Sequence, residues 1–386
     1  NMKKKLLKGS ILSASLLVAS GPAINANIPQ IAAAFPDIPL ATIELLSTIP
    51  SLFLMLSVLM SSFIANKLRI KRTIMIGLGL VMVCGFIPAL INNFYLIVVS
   101  RALLGFGIGL FNSLLVILAN YFYEGHERTT FYGLQASCEG IGGMIITFIA
   151  GQLINIDWQA PFYSYLLAVP VFFLFLFFVP KIENTTINKK ESHRVKQQLK
   201  SYFPLVKYVI LVFIIAIFYM TMGIKTTPII IEGGYGDASD SSLVLLLVGF
   251  GSMISGFIFG KVYKVLKKNT LIIAILLIAF SLFLIGVANN VMISYAGGFL
   301  IGFGFRLFLP YLVNSVNRLD IPNKGLATSL ILVGYNLGVA ITPYVSLLLQ
   351  QLPFLDNLVY LLYFEAFVIV VMVIVIIFRN MLIKNN

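Results

Sequence analysis

Gly105-Phe106-Gly107-Ile108-Gly109-Leu110-Phe111 returns 197 residues later as Gly302-Phe303-Gly304-Phe305-Arg306-Leu307-Phe308. A second echo pairs Ser61-Ser62-Phe63-Ile64-Ala65-Asn66-Lys67 with Ser255-Gly256-Phe257-Ile258-Phe259-Gly260-Lys261, at an offset of 194. Two matches at nearly one offset mark an internal repeat. Both copies of the glycine stretch lie inside apolar runs about long enough to cross a bilayer, which takes roughly 20 residues. Parallel repeats of membrane helices place a substrate site near the membrane midplane.

Outward from these stretches, apolar runs fill the 386-residue chain. Twelve spans are expected, at 10–34, 41–65, 73–91, 94–121, 129–152, 160–180, 204–230, 240–262, 269–288, 291–316, 325–350 and 354–379. The chain is 59% hydrophobic and 11% charged, with a mean hydropathy of +0.99. Soluble domains carry about 25% charged residues, so a soluble fold is excluded. The one long polar stretch, Lys181–Lys200, divides the helices six and six. The expected fold is an all-α membrane protein with 12 transmembrane helices in two pseudo-symmetric six-helix bundles, at 1–180 and 204–386, joined by a cytoplasmic linker at 181–203.

The net charge of +13 is unevenly placed. With the N-terminus in the cytoplasm, 24 of the 27 lysines and arginines fall in cytoplasmic connections and none in an outside loop. This is the positive-inside pattern. The basic charge therefore orients the chain, and nucleic-acid binding is not expected. The basic start and the run Ile11–Ala19 imitate a secretory signal. The apolar character continues through Ile31–Ala34, and the charge pattern needs this segment as the first helix, so it is expected to stay. Cys84 and Cys138 lie in expected helices, and His126 and His193 in connections. No disulfide framework, metal site or cofactor is expected.

Three cations, Arg101, Lys225 and Arg306, fall inside expected helices. Charges at membrane depth are costly and usually functional. Arg306 shares a helical face with Pro310, Asn314 and Asn317. That polar stripe reads as a cavity lining that binds substrate, and the plainer reading is a structural ion pair. Glu139 falls near the middle of the fifth span, with Gln135 and Tyr132 on its face. Desolvation favours the neutral form of a carboxylic acid, which suits proton coupling. A salt bridge with Arg101 or Arg306 is the alternative. Glu365, in the last span, reads as structural, and Lys225 as snorkelling at the outer end of the seventh. Asn25, Asn27, Gln30, Tyr219, Thr221, Tyr335 and Asn336 add uncharged polar groups. Such groups must find partners in lipid. Each is commonly an interhelical hydrogen bond, and together they outline a moderately polar site. The substrate-binding set is Arg306, Asn27, Gln135, Tyr219, Asn314, Tyr335 and Asn336.

Over essentially its whole length the sequence resembles the major facilitator superfamily. Ser62-Phe63-Ile64-Ala65-Asn66-Lys67-Leu68-Arg69-Ile70-Lys71 occupies the slot of the family's signature between the second and third helices. Asn66 stands where that signature has Asp, and Arg69 where it has its second Gly. Arg101-Ala102-Leu103-Leu104-Gly105-Phe106-Gly107 fits the fourth-helix signature. Glu139-Gly140-Ile141-Gly142-Gly143 keeps the glycines of the drug antiporters' fifth helix but lacks their proline. Ala26-Asn27-Ile28-Pro29-Gln30-Ile31-Ala32 looks like the first-helix end of many drug exporters. The resemblance implies a coupling part for Arg101 beside Glu139. It also implies gating or conformational roles for Asn66, Lys67, Arg69, Arg72 and Gly105, and for Gly256 and Gly260 in the second half.

The expected activity is secondary active transport of a small organic solute by alternating access, coupled to protons. Intramembrane arginines favour an anionic or zwitterionic solute. No phosphate-cradling motif is present, so uphill transport would use an ion gradient. No Ser/His/Asp arrangement is present either, and an enzyme is not expected. The expected setting is a bacterial-type plasma membrane with both termini cytoplasmic and the protein a functional monomer. Its partners are solute, protons and the lipid bilayer. Two alternatives stand beside this reading. One is a multidrug efflux antiporter for lipophilic or cationic compounds, and the other a non-transporting membrane sensor.

Overall fold

A computed structural model describes residues 2–182, 202–321 and 324–385. The expected linker and His193 therefore lie almost wholly or wholly outside the described residues, as do the side chains of His126, Arg128, Tyr132, Asn317 and Lys324. Every regular element among the described residues is helical. The chain divides into two units, Asn1–Lys200 and Ser201–Asn386.

The first unit holds α1 (Met2–Ser15), α2 (Ile28–Ala34), α3 (Leu40–Leu68), α4 (Ile70–Phe86), α5 (Phe94–Phe122), α6 (Gly125–Leu153) and α7 (Ala168–Phe178). The second holds α8 (Phe203–Glu232), α9 (Ala238–Leu266), α10 (Asn269–Val287), α11 (Val291–Asn317), α12 (Lys324–Gln350) and α13 (Leu358–Asn385). Eleven helical segments among the described residues are long and apolar enough to cross a membrane.

The expected span at 10–34 is not one of them. It is broken into α1, a 3-10 segment at Gly21–Asn27, and α2. Pro22 and Pro29 each sit in the first turn of a new segment, Pro22 of the 3-10 stretch and Pro29 of α2, where a missing backbone N–H is tolerated. The carbonyls freed at the break find partners elsewhere in the unit. Tyr165 donates its hydroxyl to the Ser20 carbonyl at 2.7 Å, and Arg101 donates to the Gly21 carbonyl. Mean apolarity over a window does not register such a break.

The repeat is visible in the packing. In the first unit α5 lies between α3 and α4, and in the second α11 lies between α9 and α10. Glycine makes both sandwiches possible. A Cβ on Gly105 would sit 2.1 Å from the Pro50 carbonyl oxygen on α3, and one on Gly107 would sit 2.7 Å from the Gly77 oxygen on α4. The counterparts repeat this. Gly302 would meet the Val248 oxygen on α9 at 1.9 Å, and Gly304 the Ala274 oxygen on α10 at 2.8 Å. Residues two apart point to nearly opposite sides of a helix, so Gly-x-Gly fits a helix pressed from both.

Two further pairs obey the same symmetry. Asn93 caps α5 by accepting from the Leu96 N–H at 3.2 Å, and Asn290 caps α11 by accepting from the Ile293 N–H at 3.2 Å. Arg69 ends α3 and starts α4 at φ 72°, and Lys267 ends α9 at φ 48°. These are the only non-glycine residues with positive φ among those described. At Arg69, ψ is 151°, a region essentially reserved for glycine. Holding arginine there costs on the order of 1–3 kcal/mol.

Candidate functional site

Arg306 sits on α11 where the repeat has Gly109 on α5. In the first unit a Cβ on Gly109 would fall 1.8 Å from the Ser57 hydroxyl oxygen of α3. In the second unit Gly256 of α9 faces Arg306, and a Cβ there would lie 3.5 Å from the guanidinium Nε, an ordinary contact distance. Arg306 remains partly exposed.

Beside it is an aromatic cluster drawn from three helices. Tyr219 of α8 stacks on Phe305 of α11 with centroids 4.4 Å apart and 25° between planes. Tyr335 of α12 lies 5.5 Å from the same ring. The Arg306 charge and the Tyr335 hydroxyl both act on the Tyr219 hydroxyl. Three of the expected substrate contacts, Arg306, Tyr219 and Tyr335, are therefore brought together, with Phe305 as a fourth wall. Asn314 follows two turns along α11 and is partly exposed. Asn336 turns back on its own helix, donating to the Leu332 carbonyl at 2.8 Å. An arginine beside stacked rings can hold an anionic group and an adjoining flat or apolar face.

The other face of α8 carries Thr221 and Lys225. Lys225 does not snorkel, because it is 2% exposed and α8 continues to Glu232. Its charge acts on Glu365 of α13, which is fully buried. Thr221 also adjoins that carboxylate, although its hydroxyl is directed at the Ile217 carbonyl at 2.9 Å. Neither Glu365 oxygen makes a hydrogen bond of good geometry.

In the first unit Arg101 is fully buried and held by neutral oxygens. It donates from Nε to the Leu46 carbonyl at 2.9 Å, from Nη1 to the Tyr165 hydroxyl at 2.8 Å, and from Nη2 to the Gly21 carbonyl. It thereby ties α3 and the break before α2 to the segment preceding α7. Asn27 is buried and donates to the Trp158 carbonyl at 2.7 Å, while its Oδ1 has no partner. Gln135 is buried, and Glu139 four residues along α6 is half-buried. Among the expected gating residues, Lys67 lies with its ammonium 4.5 Å from the Phe63 ring centre, and Asn66 is exposed. Arg69 and Arg72 line a cleft against α7, and Gly260 faces open space. One residue escaped the sequence reading. Glu44 of α3 is 2% exposed, more deeply buried than Glu139. Its place one turn into the helix hid it, since depth was read from distance to the span's middle.

The family model described as Major Facilitator Superfamily matches residues 10–343. Among solved structures the chain is similar to the nucleoside transporter NupG, with a TM-score of 0.77 and 13% identity over 97% of this chain and 99% of that one. It is also similar to a D-xylose-proton symporter, with a TM-score of 0.75 and 13% identity over 96% of each chain. No curated protein matches the sequence. At such identities the structural likeness speaks for the fold. The family match spans most of the sequence and agrees with that fold, so the chain belongs to the major facilitator superfamily and is a multi-pass membrane transporter rather than an enzyme.

Proposed function

We propose that the protein carries a small organic solute across the membrane by alternating access, coupled to protons, and that the solute bears an anionic or zwitterionic group. The observation that carries this is the partly exposed Arg306 beside the stacked Tyr219 and Phe305, with the Tyr335 ring tilted against Phe305. An arginine at membrane depth costs a few kcal/mol on insertion scales, and a bound anion offsets that. The rings suit a solute with a flat or ring-shaped face. By name, the two similar folds carry nucleosides and D-xylose, both ring-bearing solutes, and the second is a proton symporter.

Glu139 is the proposed proton carrier. Glu139→Gln is expected to abolish accumulation driven by a pH gradient while leaving counterflow partly intact. Uptake into proteoliposomes with and without an imposed gradient checks this. A Glu139→Gln variant that still concentrates solute would move coupling to Glu44 or Glu365.

The proposed setting is a bacterial-type plasma membrane with both termini cytoplasmic, which rests on the partition of basic residues. Asp237 and Lys268 are both exposed at opposite ends of α9. With Cys84 and Cys138 replaced, an impermeant thiol reagent should label a cysteine at 237 from outside intact cells and spare one at 268. The reverse pattern would invert the topology.

A further inference from the structure

A cleft of 460 Å³ opens between the start of α4 and the end of α7. Four cations line it, Arg69, Lys71, Arg72 and Lys181, and no carboxylate is among the described residues of its lining. The rest of the wall is apolar, with Met75 and Ile76 on one helix and Phe172 and Leu176 on the other. Ile76 and Leu176 are among the exposed large hydrophobic residues. The shape is a basic mouth above a greasy slot.

Three features make this more than a solvated basic loop. The Lys181 charge acts on Lys71, so like charges are held together. Lys71 is fixed there, donating its ammonium to the Leu176 carbonyl at 2.8 Å and to the Val179 carbonyl. It caps α7 and cannot swing away without uncovering those carbonyls. Second, α4 starts with no acidic residue in its first turn and no side-chain cap. Third, Arg69 keeps a side chain at φ 72° and ψ 151°, where glycine would sit without strain. A strained backbone retained for an arginine points to a use for that arginine.

We infer that this cleft binds the phosphate headgroup of an anionic phospholipid, with an acyl chain lying along Met75, Ile76, Phe172 and Leu176. The phosphodiester is drawn by the four cations, as basic pockets between membrane helices draw acidic lipids. The apolar wall selects a lipid over a free phosphate, which has nothing to place there. The site is separate from Arg306 and its aromatic neighbours, and it does not depend on what the transporter carries.

The test is native mass spectrometry of the full-length protein, titrated with phosphatidylglycerol or with phosphatidylcholine of identical chains. The wild type should retain phosphatidylglycerol preferentially, at one tight site. Each cation removed by Arg69→Gly, Arg72→Gln or Lys181→Gln should weaken that retention about fivefold, the effect of one basic residue at a membrane surface. Arg69→Gly is the informative variant, because it relieves the backbone while removing the charge. It should bind phosphatidylglycerol less and melt at or above the wild-type temperature. Unchanged retention in Arg69→Gly and Arg72→Gln would overturn the inference, as would equal retention of the two lipids by the wild type. Displacement of the lipid by millimolar inorganic phosphate would also overturn it, since the site would then take free phosphate.

Discussion

Arg306→Ala is expected to remove binding of the best ligand while the purified protein stays monodisperse. Truncating one member of a desolvated charge pair costs about 2–5 kcal/mol, or roughly thirtyfold and upward in affinity. Arg306→Lys should fall between, because lysine keeps the charge but loses the planar fork that grips a carboxylate at two points. The fold should survive both changes. Arg306 is partly exposed and faces Gly256, so water can enter the space its side chain leaves. A thermal-shift titration reads the effect, since a ligand that binds only the folded state raises the melting temperature. Unchanged affinity in Arg306→Ala would reject the substrate role. A best ligand that is a lipophilic cation would favour the efflux reading.

The second large effect is on folding. Gly105→Val and Gly302→Val should yield no monodisperse protein, and the alanine variants should be destabilised by about 1–3 kcal/mol or more, the usual range for overpacking. The new Cβ atoms would fall 2.1 Å from the Pro50 oxygen and 1.9 Å from the Val248 oxygen. Both obstacles are backbone, so neither can rotate aside. Gly140→Ala is the control, since a Cβ there meets nothing within 4 Å. It should be neutral or gain a few tenths of a kcal/mol to about 1 kcal/mol from helix propensity. Melting temperatures and size-exclusion profiles decide. Wild-type stability in Gly105→Ala would mean that α3 and α5 do not need their close approach.

Apolar length and repeated glycines made most of this fold legible, because both are local properties of the chain. The offset of 197 that linked Gly105 to Gly302 also links Asn93 to Asn290, a cap signal the sequence reading passed over. The break in the first segment was half legible. Pro22 and Pro29 stand in the sequence, but the partners that satisfy the carbonyls at Gly21 and Ser20, Arg101 and Tyr165, come from distant parts of the chain. The candidate site was half legible. A lone arginine in an apolar helix stands out, so Arg306 was singled out. Tyr219 and Tyr335 were in the expected set, but Phe305 was not, because it looks like any other aromatic residue until three helices bring the rings together. Lys225 was read as reaching the membrane surface from the outer end of its span, but it is 2% exposed, and the packing that buries it is not visible in the sequence.

Gly109 and Arg306 hold the same place in the two halves, yet the first half has no room for a side chain there. A Cβ at 109 would fall 1.8 Å from the Ser57 hydroxyl oxygen and 2.5 Å from the Leu54 carbonyl oxygen. The second obstacle is backbone, so trimming Ser57 would not clear the way. A polar contact cannot be copied from the second half into the first by changing side chains alone; α3 itself would have to shift along α5.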